Sequence, residues 1–291
     1  MKYCSFLLFL GMGWAAHAQN RMTPELLWQL GRVSGMGIST DGQYAVYAVS
    51  TPNAAENKSS RKFYAVPVGG GQAIPIAKPD SLLKNEKISP DGKYLISSEE
   101  VKIKKVTGKD HYPELDKSNV LIYDNLMYRH WDTYEDGKFD HVMLTPLNNG
   151  VAGTPVTDLM NGEPYNCPTK PFGGDEDFVW NPDGKNIVYC TKKKFGTAYA
   201  LSTNSDLYNY NIETGKTTNL TEGMMGYDVN PAFNQKGELA WMSMRRDGFE
   251  ADKQDLVVLG RGGKQNLTAN RDDIHVESFK WSADGESLFF T

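Results

Sequence analysis

The chain has 291 residues, of which 40% are hydrophobic, and a formal net charge of −5 at pH 7. This length can bury a substantial core, and the weak helical patterning places the chain in the all-β class. The mildly acidic balance argues against nucleic acid as a partner, because surfaces that bind nucleic acid carry clustered Lys and Arg.

Residues 1–18 have the pattern of a secretory signal peptide. Lys2 supplies the positive charge, 6–13 form the apolar stretch, and Ala-His-Ala at 16–18 is a small-x-small cleavage site. A membrane anchor is the alternative, but the apolar stretch is too short to cross a bilayer. We therefore predict an exported protein, periplasmic if its source is a Gram-negative bacterium, with no membrane attachment after cleavage.

The segment 19–32 is predicted to contain one short helix. Thr23 is a suitable N-cap residue, and Pro24 follows it at the first helical position. We expect this helix to pack on a neighbouring domain rather than on a strand.

A short turn phrase recurs along the rest of the chain and decides the predicted fold. Asp-Gly between apolar runs is a strong hairpin signal, because Gly supplies the positive φ that a tight turn requires. The phrase reads Ile-Ser-Thr-Asp-Gly-Gln at 38–43, Ile-Ser-Pro-Asp-Gly-Lys at 88–93, Trp-Asn-Pro-Asp-Gly-Lys at 180–185, Phe-Asn-Gln-Lys-Gly-Glu at 233–238 and Trp-Ser-Ala-Asp-Gly-Glu at 281–286.

A second hairpin follows several of these turns, at 63–76, 206–221 and 255–268. Two hairpins make a four-stranded antiparallel unit, and a repeat of this length is typical of a β-propeller blade. A β-sandwich is the alternative, but sandwiches rarely repeat a turn phrase at a fixed period. We predict β-propeller blades at about 33–80, 85–160, 174–221, 226–270 and 274–291.

The propeller at 33–291 is expected to be incomplete, with four blades and the start of a fifth. A half blade leaves exposed strand edges, so further blades and another domain are expected to follow. The interval from Gly92 to Gly184 is twice the usual one, which allows either two blades or one blade with an insertion. We favour an insertion at 100–138, because only one outer hairpin, 141–144 with 154–159, is convincing in this stretch.

The sequence contains no recognisable catalytic centre. It has no Gly-x-Ser-x-Gly nucleophile motif, no phosphate-binding loop, and no His or Cys spacing suited to a metal. We therefore assign no catalytic residue, metal ligand or cofactor to this chain. Export permits a disulfide between Cys167 and Cys190, which the sequence does not decide. The basic runs at 102–105 and 192–194 are interpreted as solvated strands or loops.

Two segments are candidates for ligand binding. The insertion at 126–138 is dense in aromatic and charged residues, as binding loops often are, and we select Arg129 and Trp131 from it. The ordinary structural alternative is that Trp131 and Tyr134 pack the insertion onto its blade, while Arg129 pairs with Asp132 or Glu135.

The second candidate is an acidic group immediately before a predicted inner strand. Asp175, Glu176 and Asp177 follow two glycines, and carboxylates at the mouth of a propeller suit a free amino terminus. The alternative is a solvated acidic loop without a ligand.

Three stretches resemble one known family. The sequence at 23–33, the phrase Tyr-Arg-His-Trp-Asp at 128–132 and the longer phrase at 199–208 are similar to the prolyl oligopeptidase (S9) family of serine peptidases. The resemblance covers essentially the whole mature chain and is strongest to the dipeptidyl-peptidase 5 and acylaminoacyl-peptidase types. The turn phrase alone is shared with other periplasmic propellers, including TolB-like proteins.

This resemblance implies an N-terminal propeller that sits over an α/β-hydrolase domain carrying a Ser-Asp-His triad. The propeller would restrict access to short peptides and help to hold their amino termini. Because the hydrolase domain is absent, this part alone is expected to be inactive, and its enzyme status is left open. A non-catalytic TolB-like propeller that binds protein partners is the alternative, and the oligomeric state is not determined.

Overall fold

The computed structural model describes residues 22–291, so the predicted signal peptide at 1–18 lies outside the described residues. The chain divides into two compact units, one ending at Asn85 and one spanning Glu86–Thr291, and each is described by itself. Across 22–291, no helix combines the length and apolar character that a membrane crossing requires.

The first unit contains the predicted short helix and one four-stranded antiparallel sheet. Helix α1 spans Pro24–Gln29, and the Thr23 hydroxyl caps it by accepting a hydrogen bond from the Leu26 N–H at 3.1 Å. The sheet has the order β1-β2-β3-β4. Its strands are β1 (Arg32–Ile38), β2 (Tyr44–Asn53), β3 (Lys58–Pro67) and β4 (Ile74–Ile76).

The second unit contains three larger sheets and two hairpins, all antiparallel. Two of the sheets have four strands in sequential order. One hairpin is formed by 129–134, and the final pair of strands forms the other. The elements are β5 (Tyr94–Lys102), α2 (Gly108–His111), β6 (Arg129–His130), β7 (Thr133–Tyr134), β8 (Lys138–Asn148), β9 (Val151–Ala152), β10 (Thr157–Asp158), β11 (Phe178–Trp180), β12 (Asn186–Thr191), α3 (Thr197–Leu201), β13 (Asp206–Asn211), β14 (Lys216–Asn219), β15 (Asp228–Phe233), β16 (Leu239–Ser243), β17 (Asp255–Gly260), β18 (Gly263–Asn266), β19 (Phe279–Trp281) and β20 (Leu288–Phe290).

The recurring turn phrase is a self-contained hydrogen-bonded unit. The Ser89 hydroxyl donates to the Asp91 carboxylate at 2.7 Å and accepts from the Tyr94 N–H at 2.9 Å. The same carboxylate accepts from the Lys93 N–H, and Gly92 takes the expected positive φ of 74°. These bonds lower the pKa of Asp91 to about 2, with the Ser89 hydroxyl the largest cause. The phrase therefore recurs because each of its polar residues holds the turn.

One segment leaves the second sheet and returns to it. β5 pairs directly with β8 up to Lys102 opposite Lys138, so residues 103–137 lie between two neighbouring strands. The strands extend slightly into the insertion predicted at 100–138. The insertion contains α2 and the small β6–β7 hairpin, and the sequence did not indicate α2.

The sheets of the second unit pack face to face through apolar layers. Successive side chains of a strand point to opposite faces, so a strand buried on both faces is a continuous apolar run. In β12, Ile187 and Tyr189 pack toward the preceding sheet, whereas Val188 and Cys190 pack toward the following one. This layered arrangement of antiparallel blades confirms the predicted all-β class. Cys190 and Cys167 are both buried free thiols in the structure.

Candidate functional site

The topology of the second unit collects its long loops at one end. In each blade the turn phrase joins the first and second strands at one end of the blade. The loop between the second and third strands lies at the opposite end. The connection from each blade to the next also runs at that other end. We call it the crossover end; it includes residues 103–137, 159–177, 192–205, 220–227, 244–254 and 267–278.

The two segments selected from the sequence meet at the crossover end. Trp131 lies at the tip of the β6–β7 hairpin with a φ of +47° and is 66% exposed. Its ring meets the edge of the Phe172 ring at a centroid distance of 5.4 Å, and Phe172 is itself 80% exposed. Because only two glycines separate Phe172 from Asp175, this contact brings the hairpin to the loop that carries the acidic group.

Arg129 takes a different partner from the one that the ordinary alternative supposed. Its guanidinium lies over the Tyr134 ring at 5.9 Å from the centroid. Within residues 22–291 it forms no ion pair with Asp132 or Glu135. The donors of the guanidinium therefore remain available at the crossover end.

The three acids do not form one exposed cluster. They make a single 3₁₀ turn in which Asp175 and Glu176 are exposed, whereas Asp177 is buried. The Asp177 carboxylate accepts bonds from the Thr169 N–H and hydroxyl, both at 2.7 Å. Burial raises the pKa of Asp177 to about 6, although the Thr169 bonds oppose this shift. The interpretation of Asp177 as a ligand-facing acid is therefore corrected: its side chain closes the loop that begins at Thr169.

Lys87 holds this acidic turn in place. Its ammonium donates to the carbonyl of Phe178 at 2.6 Å and to that of Asp175, and it lies over the Phe178 ring. Burial lowers the pKa of Lys87, and the Asp175 charge offsets part of the shift. No sequence signal indicated this role, because about ninety residues separate the lysine from its partners.

A cavity of about 320 Å³ lies between the insertion and the loop that contains α3. Its walls include Lys104, Glu135 and the rings of Tyr123, Phe139, Phe195 and Tyr199. Burial raises the pKa of Tyr199 to about 12. No sequence signal indicated this site, because a basic run such as 102–105 is typical of solvated strands or loops, whereas Lys104 is partly buried.

The two charged groups of the cavity are both shifted by burial. Burial lowers the pKa of Lys104, and the Glu135 charge partly restores it. Burial raises the pKa of Glu135, and the ammonium groups of Lys170 and Lys104 partly offset this rise. Both residues are therefore partly withdrawn from water, where an added partner is worth more than at the open surface.

The loops of consecutive blades are also connected to each other at the crossover end. The Asp247 carboxylate accepts bonds from the Ser202 hydroxyl at 2.6 Å and the Thr203 N–H at 2.7 Å. These two residues belong to the phrase at 199–208 that the sequence analysis singled out. In the part of the chain from 22 to 291, no group of three His, Cys, Asp or Glu side chains is placed to hold a metal ion.

Comparison with known proteins identifies peptidase relatives. The chain is 37% identical to dipeptidyl-peptidase 5 of Porphyromonas gingivalis over 315 aligned residues, which cover 92% of this chain and 46% of the relative. It is 34% identical to dipeptidyl-peptidase 5 of Porphyromonas endodontalis, covering 82% of this chain and 40% of the relative. The chain thus spans a little under half the length of these relatives. No protein-family model matches it.

The fold is similar to that of a solved peptidase structure. Acylaminoacyl peptidase of Pyrococcus horikoshii superposes with a TM-score of 0.59 over 91% of this chain and 43% of that chain. The identity in this superposition is 11%, so the similarity concerns the fold alone. Together with the sequence relatives, it shows that the chain belongs to the prolyl oligopeptidase family and corresponds to the β-propeller part of its dipeptidyl-peptidase 5 members.

Proposed function

We propose that this chain is the substrate-gating propeller of an exported serine exopeptidase that releases dipeptides from the amino termini of peptides. The observation that carries this proposal is the identity of 37% to a dipeptidyl-peptidase 5 across 92% of the chain. In this proposal an α/β-hydrolase domain outside the present chain supplies the Ser-Asp-His triad. The propeller selects short peptides and orients them.

The crossover end has the chemistry that such a gate requires. The exposed rings of Trp131 and Phe172 offer an apolar surface for peptide side chains. Asp175 and Glu176 lie on the adjoining 3₁₀ turn, where their carboxylates are exposed to solvent. A free peptide ammonium would form charge-assisted hydrogen bonds with these carboxylates, which are stronger than neutral ones.

The activity is tested with the product of the complete gene, expressed with its own leader and isolated from the periplasm. We expect its mature chain to begin at Gln19 and to release dipeptides from dipeptidyl-nitroanilide substrates. Residues 19–291 alone are expected to show no hydrolysis. Absence of hydrolysis by the complete product, together with stoichiometric binding of a protein partner, would instead favour the TolB-like alternative.

Neutralising the exposed acids is expected to weaken binding of substrates with a free amino group. Asp175→Asn combined with Glu176→Gln should raise KM for these substrates about 3–10-fold, the effect of losing one or two solvated charge-assisted hydrogen bonds. Steady-state kinetics with free and N-acetylated forms of one peptide measures this effect, and the acetylated form should be less affected.

The matched control for this experiment is Glu213→Gln. Glu213 is an exposed acid at the opposite end of the third blade, where it pairs with Lys185 at 3.0 Å. Its replacement should leave KM unchanged for both substrates. Equal effects of the double variant on free and acetylated peptides would rule out an amine-binding role for Asp175 and Glu176.

A further inference from the structure

The cavity beside the insertion combines aromatic walls with two opposite charges. Its volume of about 320 Å³ is at the lower end of the range of roughly 300–1,000 Å³ found for small-molecule pockets. Such a volume suits a ligand no larger than a few amino acid residues. Phe139 and Phe195 form apolar walls on the side of Lys104.

Among the described residues, the ammonium group of Lys104 has aromatic rings as neighbours and no anionic partner. It lies 4.0 Å from the centroid of the Phe195 ring and 5.4 Å from that of Phe139. Within residues 22–291 its Nζ forms no ion pair or hydrogen bond. The two rings hold the side chain in position while the donors of the ammonium remain unused.

Among the described residues, the carboxylate of Glu135 likewise has no hydrogen-bond or ion-pair partner. The backbone of this residue is held by two bonds, from the Glu135 N–H to the Tyr128 carbonyl at 3.0 Å and from the Tyr123 hydroxyl to the Glu135 carbonyl at 2.6 Å. In the described part of the chain, its carboxylate accepts no hydrogen bond. The nearby Lys170 is already paired with Asp140 at 3.3 Å.

Two opposite charges that line one cavity without pairing are complementary to a ligand with both charges. A simple anion would leave Glu135 without a partner, and a simple cation would leave Lys104 without one. A ligand with an ammonium and a carboxylate satisfies both groups, and its side chain can pack on the aromatic walls.

We propose that this cavity binds a small zwitterion with an apolar side chain, namely a free amino acid or a dipeptide. Lys104 binds the ligand carboxylate and Glu135 binds its ammonium group. The site goes beyond the gating function proposed above, because it requires no catalytic centre and lies entirely within the second unit.

Isothermal titration calorimetry on the complete protein tests this assignment. The probes are phenylalanine and alanylphenylalanine, which separate an amino acid ligand from a dipeptide. N-acetylphenylalanine lacks the ammonium and phenylalaninamide lacks the carboxylate. We expect saturable binding of phenylalanine or alanylphenylalanine, and about tenfold weaker binding of both blocked analogues. The catalytic serine is first inactivated with a fluorophosphonate, so that binding at the catalytic centre does not contribute.

Two variants assign each charge to its partner. Lys104→Met should weaken zwitterion binding about tenfold and leave the affinity for phenylalaninamide unchanged. Glu135→Gln should weaken zwitterion binding similarly and leave the affinity for N-acetylphenylalanine unchanged. Lys109→Met and Glu114→Gln alter exposed charges of the same insertion outside the cavity and should have no effect.

Two results would overturn the proposal. One is the absence of saturable binding of phenylalanine and alanylphenylalanine at millimolar concentration. The other is equal affinity of the wild-type protein for the zwitterion and both blocked analogues, a comparison that stands even if a variant fails to fold. Absence of peptide hydrolysis by the untreated complete protein, together with intact zwitterion binding, would count against the proposed peptidase function and leave the cavity assignment standing.

Discussion

Asp228→Asn is expected to make the protein more stable than the wild type at pH 8. The difference in free energy of unfolding between the variant and the wild type should be about 3 kcal/mol larger at pH 8 than at pH 5. Asp228 is fully buried, and one of its carboxylate oxygens accepts from the Trp241 indole at 2.7 Å. Within residues 22–291 its other carboxylate oxygen accepts no hydrogen bond. Burial raises its pKa to about 7, and the Asp206 charge contributes to this rise.

The sign of the effect follows from the two pKa values. The unfolded carboxyl ionises near pH 3.8, whereas the folded one stays protonated until about pH 7. Its contribution to stability is therefore fully present below pH 3.8 and is lost as the pH rises to 7. Between pH 5 and about pH 7 the wild type loses about 1.4 kcal/mol of stability for each pH unit, or roughly 3 kcal/mol in all. Asparagine keeps an acceptor for Trp241 and carries no charge.

Urea unfolding at pH 5 and pH 8 measures the difference between the variant and the wild type. Asp91→Asn is the matched control, because the Ser89 hydroxyl and the Lys93 contacts lower the pKa of Asp91 to about 2. The Asp91 carboxylate is ionised at pH 5 and at pH 8 in both the folded and the unfolded state. Its replacement should therefore change the free energy of unfolding by the same amount at the two pH values. A difference between Asp228→Asn and wild type that does not vary with pH would refute the expectation.

Gly137→Ala is expected to destabilise the base of the insertion by roughly 3 kcal/mol. Gly137 has a φ of +86°, and its carbonyl accepts from the N–H groups of Ile103 and Lys104 at 2.9 and 3.0 Å. A Cβ atom there would overlap the Lys104 carbonyl and approach a Val106 methyl group to 3.1 Å. Left-handed backbone costs a non-glycine residue about 1–2 kcal/mol, and overpacking adds about 1–3 kcal/mol.

Gly150→Ala separates these two causes. Gly150 has a similar φ of +77°, but a Cβ there would meet no atom within 4 Å. It should cost only about 1–2 kcal/mol, the backbone part of the effect. Urea unfolding gives the total change, and hydrogen exchange of the Ile103 and Lys104 amides reports the local loss. Equal destabilisation by the two variants would show that steric overlap at Gly137 contributes nothing.

The repeated turn and the alternating strands made the fold predictable. The bonds that hold the phrase at 88–93 join residues at most five positions apart, so the sequence alone contains all their partners. The apolar run at 187–190 likewise coincides with β12, which the structure shows to be covered on both faces. In contrast, α2 and α3 have only four and five residues, too short for a helical periodicity to be recognised.

The candidate site was predictable only in part. The sequence indicated the aromatic hairpin and the acidic turn separately, and the contact between Trp131 and Phe172 brings them together. It did not distinguish the exposed Asp175 and Glu176 from the buried Asp177, because three consecutive acids look alike until the loop closes on Thr169.

The sequence by itself determined the antiparallel blades, their turns and the family resemblance, because these depend on local hydrogen bonds and on a repeating pattern. Only the tertiary structure decided which polar groups face each other. Lys87 bonds to the acidic turn and Lys104 lies against Phe195, each across about ninety residues of chain. Such contacts depend on the pairing of distant strands and on the burial that follows from it, and no short sequence window contains both partners.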